Sequence, residues 1–185
     1  MSVRTTVVVV PGLRDEAPAH WQALLAQELD QVVALPALGR RNIDLAARVA
    51  AIESAVRAIA EPVIVVAHSA GSVATAHWAQ RTQAKILGAL LATPPVFSGP
   101  LGPEYPDLAE FEKQGWLPLP VAPLRFRSFV AASRNDPLGS YDEVSTLAHS
   151  WGAELVDLGD VGHLNPASGF GPWPGARPLI ERLAG

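Results

Sequence analysis

The sequence predicts a single-domain α/β protein with about six mostly parallel strands and helices on both faces of the sheet. Short apolar runs rich in β-branched residues recur along the chain, and helical periods separate them. Strands that alternate with helices are typical of βαβ units and a doubly wound sheet. Each run is continuously apolar rather than alternating, as expected for strands covered on both faces.

The predicted strands are all short. The clearest runs lie at residues 6–10, 62–67, 86–92 and 127–132, and weaker runs lie at residues 154–158 and 32–35.

Three segments between these runs place apolar residues on one helical face. In residues 45–59 the apolar residues recur at steps of four and three, which places them on one helical face. The first segment follows Pro18, a residue suited to a first helical turn. The three faces are Trp21, Leu24, Leu25 and Leu29; Leu45, Val49, Ile52, Val56 and Ile59; and Tyr141, Val144, Leu147, Ala148 and Trp151.

Residues 93–123 interrupt this alternation. The segment is rich in Pro and Gly and carries Phe97, Tyr105, Phe111 and Trp116. A connection this long in a compact domain is usually functional or partly helical. It is predicted to be either a lid over a site or a surface excursion whose aromatic residues pack on the core, within one domain spanning residues 1–185.

Composition excludes several classes of function. A formal net charge of -4 without a run of Lys or Arg disfavours nucleic acid and anionic membranes as partners. The early apolar run at residues 7–10 is too short for a signal peptide core, which favours a cytoplasmic location. The chain has no cysteine, so disulfides and thiolate metal sites are excluded and any nucleophile must be another residue.

Ser69 is the candidate nucleophile. It follows the buried run in VIVVAHSAGS (residues 63–72), and small residues open the next helix behind it. Ligands bind beyond the carboxyl ends of strands in open α/β sheets, and small residues permit a sharp strand-to-helix turn that projects a side chain. The alternative is an ordinary turn in which Ser69 caps the helix.

His163 is the candidate base, because a serine hydroxyl needs one in order to attack a carbonyl. It lies in a loop past the last strand, at the same sheet edge as Ser69. His20, His77 and His149 fall on helices, where packed or solvent-facing roles are expected. His68 is expected to point away from its neighbour Ser69.

Asp136 is the candidate acid that orients the base. It follows the strand at residues 127–132, although an aspartate before proline also commonly forms a turn. Asp160 is a rival carboxylate that is expected to shape its own loop. The resulting chain order of serine, acid and histidine is that of α/β-hydrolases.

Two backbone amides are candidates for an oxyanion hole, which stabilises the charge that develops on a carbonyl oxygen. One is the N–H of Ala70, directly after the nucleophile. The other is the N–H of Leu13, which follows Pro11 and Gly12 in the loop after the first strand.

These motifs resemble those of small α/β-hydrolases in the group that includes retinoblastoma-binding protein 9 and many bacterial serine hydrolases. The motifs are VVVVPGLRDEAPAHWQ, VIVVAHSAGS, SRNDP and GDVGHLNPASGFGPWP, and they span essentially the whole chain. The resemblance implies a reduced α/β-hydrolase fold, with Ser69, Asp136 and His163 as the triad. One departure is Ala67, where the hydrolase pattern has Gly; its methyl group is expected to leave the turn intact.

The predicted reaction is acyl transfer to water through an acyl-serine, without metal or cofactor. Small uncharged or short-chain esters are the expected substrates, with amides as a further class. Phe97, Trp116 and Trp173 are the expected pocket residues.

Two other functions are weighed against this one. The first is a hydrolase fold that mainly binds a protein partner, since fold and function separate easily. The second is a nucleotide-binding protein, but neither Gly-x-Gly-x-x-Gly nor a P-loop pattern is present in the sequence.

Overall fold

The predicted strands pair into one six-stranded sheet in the computed structural model, which describes residues 4–185. The strand order is β2–β1–β3–β4–β5–β6, and all neighbouring strands are parallel. This confirms the predicted α/β class and also the weakly signalled edge strand. The strands are β1 (Thr6–Val10), β2 (Val32–Ala34), β3 (Val63–His68), β4 (Gly88–Ala92), β5 (Arg127–Ala132) and β6 (Glu154–Asp157).

The two faces of the sheet bury separate apolar layers. Because successive side chains point to opposite faces, Val8 and Val65 lie in one layer while Val7 and Ile64 lie in the other. β1 and β3 are fully buried, which explains why their sequences are continuously apolar.

Six α-helices cover these faces within residues 4–185. Helices α2, α3 and α5 pack on one layer, and α1 and α6 pack on the other. The helices are α1 (Trp21–Glu28), α2 (Leu45–Arg57), α3 (Ala70–Ala79), α4 (Leu108–Lys113), α5 (Tyr141–Ser150) and α6 (Ala176–Ala184).

Helix α1 begins later than the position of Pro18 suggests. Its N-cap is His20, whose Nδ1 accepts a hydrogen bond of 3.2 Å from the backbone N–H of Gln22. Because the cap must have an extended backbone, helical geometry starts at Trp21.

The parallel arrangement brings the carboxyl ends of all strands to one edge. The segments that follow β1, β3, β5 and β6 therefore meet above the centre of the sheet. No helix among residues 4–185 has the length and apolarity needed to cross a bilayer.

Candidate active site

Ser69 occupies a strained turn between β3 and α3. Its φ of 55° and ψ of -131° are unusual for a residue with a Cβ atom, and such strain costs on the order of 1–3 kcal/mol. The Ser69 N–H donates to the carbonyl of Ala92 at 2.8 Å, which holds the turn against β4. The Ser69 side chain makes no capping hydrogen bond to α3. The alternative of an ordinary helix cap is therefore excluded.

Two glycines allow the loop after β1 to approach this turn closely. A Cβ atom on Gly12 would lie 2.8 Å from Ser69 Cβ, and one on Gly71 would lie 2.6 Å from the Val10 carbonyl oxygen. Ala67 is fully buried and pairs with Val10. The strained turn is thus compatible with Ala67, as expected from the sequence.

The structure brings Ser69, His163 and Asp136 into one hydrogen-bonded row. The distance between Ser69 Oγ and His163 Nε2 is 2.7 Å, and His163 Nδ1 lies 2.9 Å from each carboxylate oxygen of Asp136. A carboxylate can only accept, so Nδ1 carries the proton and Nε2 is free to accept from the serine hydroxyl. This is the arrangement that a general base requires.

The loops that carry the acid and the base are bonded to each other. Asn135 Oδ1 accepts the N–H of Gly162 at 2.6 Å, and Ser133 Oγ accepts the N–H of Val161 at 3.2 Å. The Asp136 carboxylate also accepts the N–H of Leu138 at 2.9 Å. These contacts fix the acid relative to the imidazole.

Asp160, the rival carboxylate, is exposed to solvent. The carboxylate that meets the imidazole is that of Asp136, whose side chain is only 2 % exposed.

Leu13 lines the same cavity as Ser69, and Ala70 directly follows Ser69 in the chain. Both residues are buried, and within residues 4–185 neither N–H donates to a loop backbone atom or a side chain. The first N–H groups of a helix have no partner within the helix. The two amides thus remain available to a developing oxyanion.

A cavity of about 300 Å³ opens onto Ser69 and His163. Its walls include Leu13, Tyr105 and the charged side chains of residues 14–16. The sequence signal for this wall is the Arg-Asp-Glu triplet directly after Leu13, a charged run that local pattern alone does not place in a pocket.

The three aromatic residues expected in the pocket lie elsewhere. Phe97 and Trp116 are buried in the apolar core with Phe111 between them, and Trp116 Nε1 donates to the Ile43 carbonyl at 2.8 Å. Trp173 packs on the opposite face of the sheet, with its ring centroid 4.9 Å from that of Trp21. None of the three lines the Ser69 cavity. The prediction that these three residues line the pocket is therefore wrong, because their rings pack between elements that are distant in sequence.

Two further histidines lie behind His163, and sequence reasoning missed their roles. His68 contacts the loop of the candidate base: its Nε2 donates to the carbonyl of His163 at 2.9 Å. Its ring centroid lies 5.0 Å from that of His163 and 4.6 Å from that of His20. We refer to His20, His68 and His163 as the histidine cluster.

The imidazoles of His20 and His68 in this cluster are neutral. Burial, followed by the positive charge of Arg14 and by His163, lowers the pKa of His20 to about 3. Burial also lowers the pKa of His68 well below its usual range. Because His68 Nε2 donates to a carbonyl, its Nδ1 carries a lone pair, and this nitrogen has no partner within residues 4–185.

Comparisons with known proteins identify the family of the chain. The model of a family described as serine hydrolase matches residues 7–182. A protein assigned as a YdeN-like hydrolase from Pectobacterium atrosepticum is 31% identical with a TM-score of 0.82, over 98% of this chain and 91% of that one. No curated protein sequence matches the chain significantly.

Two more distant structures share the fold. The ydeN gene product of B. subtilis is 18% identical with a TM-score of 0.75, over 97% of this chain and 98% of that one. A monoacylglycerol lipase from Paleococcus ferrophilus is 13% identical with a TM-score of 0.67, over 96% and 93% of the two chains. At these identities the likeness concerns the fold alone. Because the family model matches residues 7–182, nearly the whole α/β-hydrolase fold, the chain belongs to the serine hydrolase family.

Proposed function

We propose that this serine hydrolase cleaves small carboxylic esters, and amides more slowly, through an acyl-serine intermediate. The observation that carries the proposal is the 2.7 Å contact of Ser69 Oγ with His163 Nε2, backed by Asp136 at 2.9 Å. The fold is shared with a monoacylglycerol lipase from Paleococcus ferrophilus.

In the first half-reaction, Ser69 Oγ attacks the carbonyl carbon while His163 Nε2 takes the hydroxyl proton. The negative charge moves to the carbonyl oxygen, where the amides of Leu13 and Ala70 would stabilise it. Collapse of this intermediate breaks the bond to the leaving group, which receives the proton from His163. The product is an acyl-Ser69 and a free alcohol or amine.

In the second half-reaction, water attacks the acyl carbon and gives its proton to His163. The second intermediate collapses to the carboxylic acid, and Ser69 recovers its proton. Asp136 would hold the imidazole in the correct tautomer and stabilise its charged form.

The segment 93–123 would serve as a fixed wall of the site rather than a moving lid. Phe111 and Trp116 within it are fully buried, while Tyr105 reaches the Ser69 cavity. Two buried aromatic anchors oppose the opening of such a segment, since exposing each costs several kcal/mol of apolar burial, about 25 cal/mol per Å².

The narrower kinship with the retinoblastoma-binding protein 9 group is part of this proposal and rests on the sequence motifs. That kinship raises the alternative of a partner-binding protein. Large exposed apolar residues among residues 4–185 are few and fall on separate segments: Val33, Leu38, Leu87 and Val121. Because large contiguous apolar patches often mark protein interaction sites, this scatter favours the enzyme.

The test is labelling of the pure protein with a fluorophosphonate, read by intact mass. The wild type is expected to gain one phosphonyl group with loss of fluoride, and Ser69→Ala and His163→Ala are expected to gain none. A folded wild-type protein that stays unlabelled would refute an activated serine. Matched 4-nitrophenyl butyrate and butyryl 4-nitroanilide then compare ester with amide turnover.

A further inference from the structure

We infer that the substrate carries a carboxylate that pairs with Arg14 in the Ser69 cavity. This inference rests on the proposed hydrolase function and departs from the uncharged substrates expected from the sequence. Arg14 follows Leu13, so one short loop would supply both an oxyanion donor and a cation to the same site.

Arg14 is a half-buried cation without a counter-ion. No carboxylate among residues 4–185 lies within 4.0 Å of its guanidinium. Its Nη1 donates to the Asp15 backbone carbonyl at 3.2 Å, and its Nε is buried without a partner. Burial accordingly lowers the pKa of Arg14, although the charge of Glu16 opposes this shift.

The two carboxylates of the cavity wall are engaged elsewhere. Asp15 Oδ2 lies 3.5 Å from Arg40 Nη1 at the rim. Glu16 Oε1 accepts the backbone N–H of Ala37 at 3.2 Å. Of the two arginines that line the cavity, Arg40 has a carboxylate partner, and Arg14 has none among residues 4–185.

A substrate carboxylate would satisfy this guanidinium. Arg offers a planar fork of donors that binds a carboxylate through two parallel hydrogen bonds. A half-buried charge without a counter-ion is unfavourable, and a bound carboxylate would supply the hydrogen-bond partners that the guanidinium lacks. The cavity of about 300 Å³ has room for a small acid but not for a long chain.

The acyl side of the substrate is tested with one matched pair of esters. The charged member is the mono-4-nitrophenyl ester of adipic acid, and the neutral member is the same compound with its free carboxylate capped as a methyl ester. The alcohol side is tested with 3-acetoxybenzoate against methyl 3-acetoxybenzoate. In each pair the charge changes while the size stays similar.

The measured quantity is the ratio of kcat/KM for the charged ester over its neutral partner. In at least one pair we expect a wild-type ratio of about 10 or more, because only the charged ester can form the charge-assisted hydrogen bonds to Arg14. Arg14→Gln should lower that ratio about tenfold, mainly through KM, and Arg14→Lys should lower it less because the charge remains. Using a ratio removes any general loss of activity in a variant.

Arg125→Gln is the matched control, because it removes one exposed positive charge just before β5, at the opposite edge of the sheet. Its ratio should equal that of the wild type. Wild-type ratios near one in both pairs, or a ratio that Arg40→Gln abolishes and Arg14→Gln does not, would overturn the inference.

Fluorophosphonate labelling separates this failure from failure of the proposed function. A labelled protein that turns over both esters of a pair equally is a hydrolase without the Arg14 subsite. A protein that is neither labelled nor active on any of the four esters refutes the hydrolase function itself, and the inference with it.

Discussion

His163 and His68 are buried imidazoles whose ring centroids lie 5.0 Å apart, yet their surroundings prepare them for opposite tasks. His163 has a carboxylate on one nitrogen and a hydroxyl on the other. His68 donates one N–H to a carbonyl and has no partner on the other nitrogen. Burial without a nearby carboxylate keeps His68 neutral, whereas the Asp136 carboxylate beside His163 can stabilise a protonated imidazole.

The strongest test of this comparison is removal of the base. We expect His163→Ala to lower kcat for an unactivated ester by about 10⁴- to 10⁶-fold, because Ser69 then has no proton acceptor. Adding Ser69→Ala should cause little further loss, since the two groups act as a unit. Additive losses in steady-state kinetics would contradict the shared role.

The next test removes only the carboxylate charge. Asp136→Asn should lower kcat by about 10⁴-fold, because an amide favours the wrong imidazole tautomer. Asp160→Asn is the matched control, and its kcat should stay within about twofold of the wild type because its side chain is exposed. The reverse pattern would transfer the role of the acid to Asp160.

Stability should fall as the pH is lowered, because burial keeps His20 and His68 neutral in the folded protein. The unfolded chain binds a proton on each near pH 6.5, whereas folded His20 does so only at about 3. The unfolded state therefore binds more protons between these values, and His20 alone should remove about 1.4 kcal/mol per pH unit as the pH falls through this window.

His20→Asn sharpens this test, because asparagine retains a capping acceptor but does not titrate there. Urea unfolding between pH 4.5 and 5.5 should give a slope for His20→Asn that is shallower by about 1.3 kcal/mol per pH unit. An unchanged slope would mean that His20 is not held neutral.

The smallest expected effect concerns His68. His68→Phe leaves the His163 carbonyl without its donor, which should destabilise the protein by about 1–3 kcal/mol and lower kcat several-fold. His68→Gln should restore part of both losses by donating from its amide. If kcat, KM and the pH profile of kcat all stay at wild-type values in His68→Phe, then His68 serves stability alone.

The predictable parts of the molecule depend on local sequence. Continuous apolar runs such as residues 63–68 indicate buried parallel strands, and parallel strands bring their carboxyl ends together. The structure confirms the fold that this reasoning predicts, and the same reasoning predicts that Ser69, Asp136 and His163 lie at one edge of the sheet. Their contact follows from the topology once each residue ends or follows a strand.

The cavity wall could not be predicted in this way, because it depends on packing between distant segments. Trp116 is distant from Ile43 in sequence but donates to its carbonyl, so it lies in the core rather than in the pocket. His68 likewise bonds the backbone of His163, a residue in a different loop. Neither contact has a periodic signal in the sequence.

The hydrogen bonds between Asn135 and Gly162 and between Ser133 and Val161 have a consequence for dividing the chain. Asp136 and His163 belong to one contiguous stretch that follows the Pro-rich segment, while Ser69, Leu13 and Ala70 precede that segment. Cutting the backbone near Val121, which is 71% exposed, would separate the two halves of the chemistry without breaking either. Ester turnover by the recombined pieces would then report the pairing of β4 with β5, making the enzyme a reporter for complementation of its own fragments.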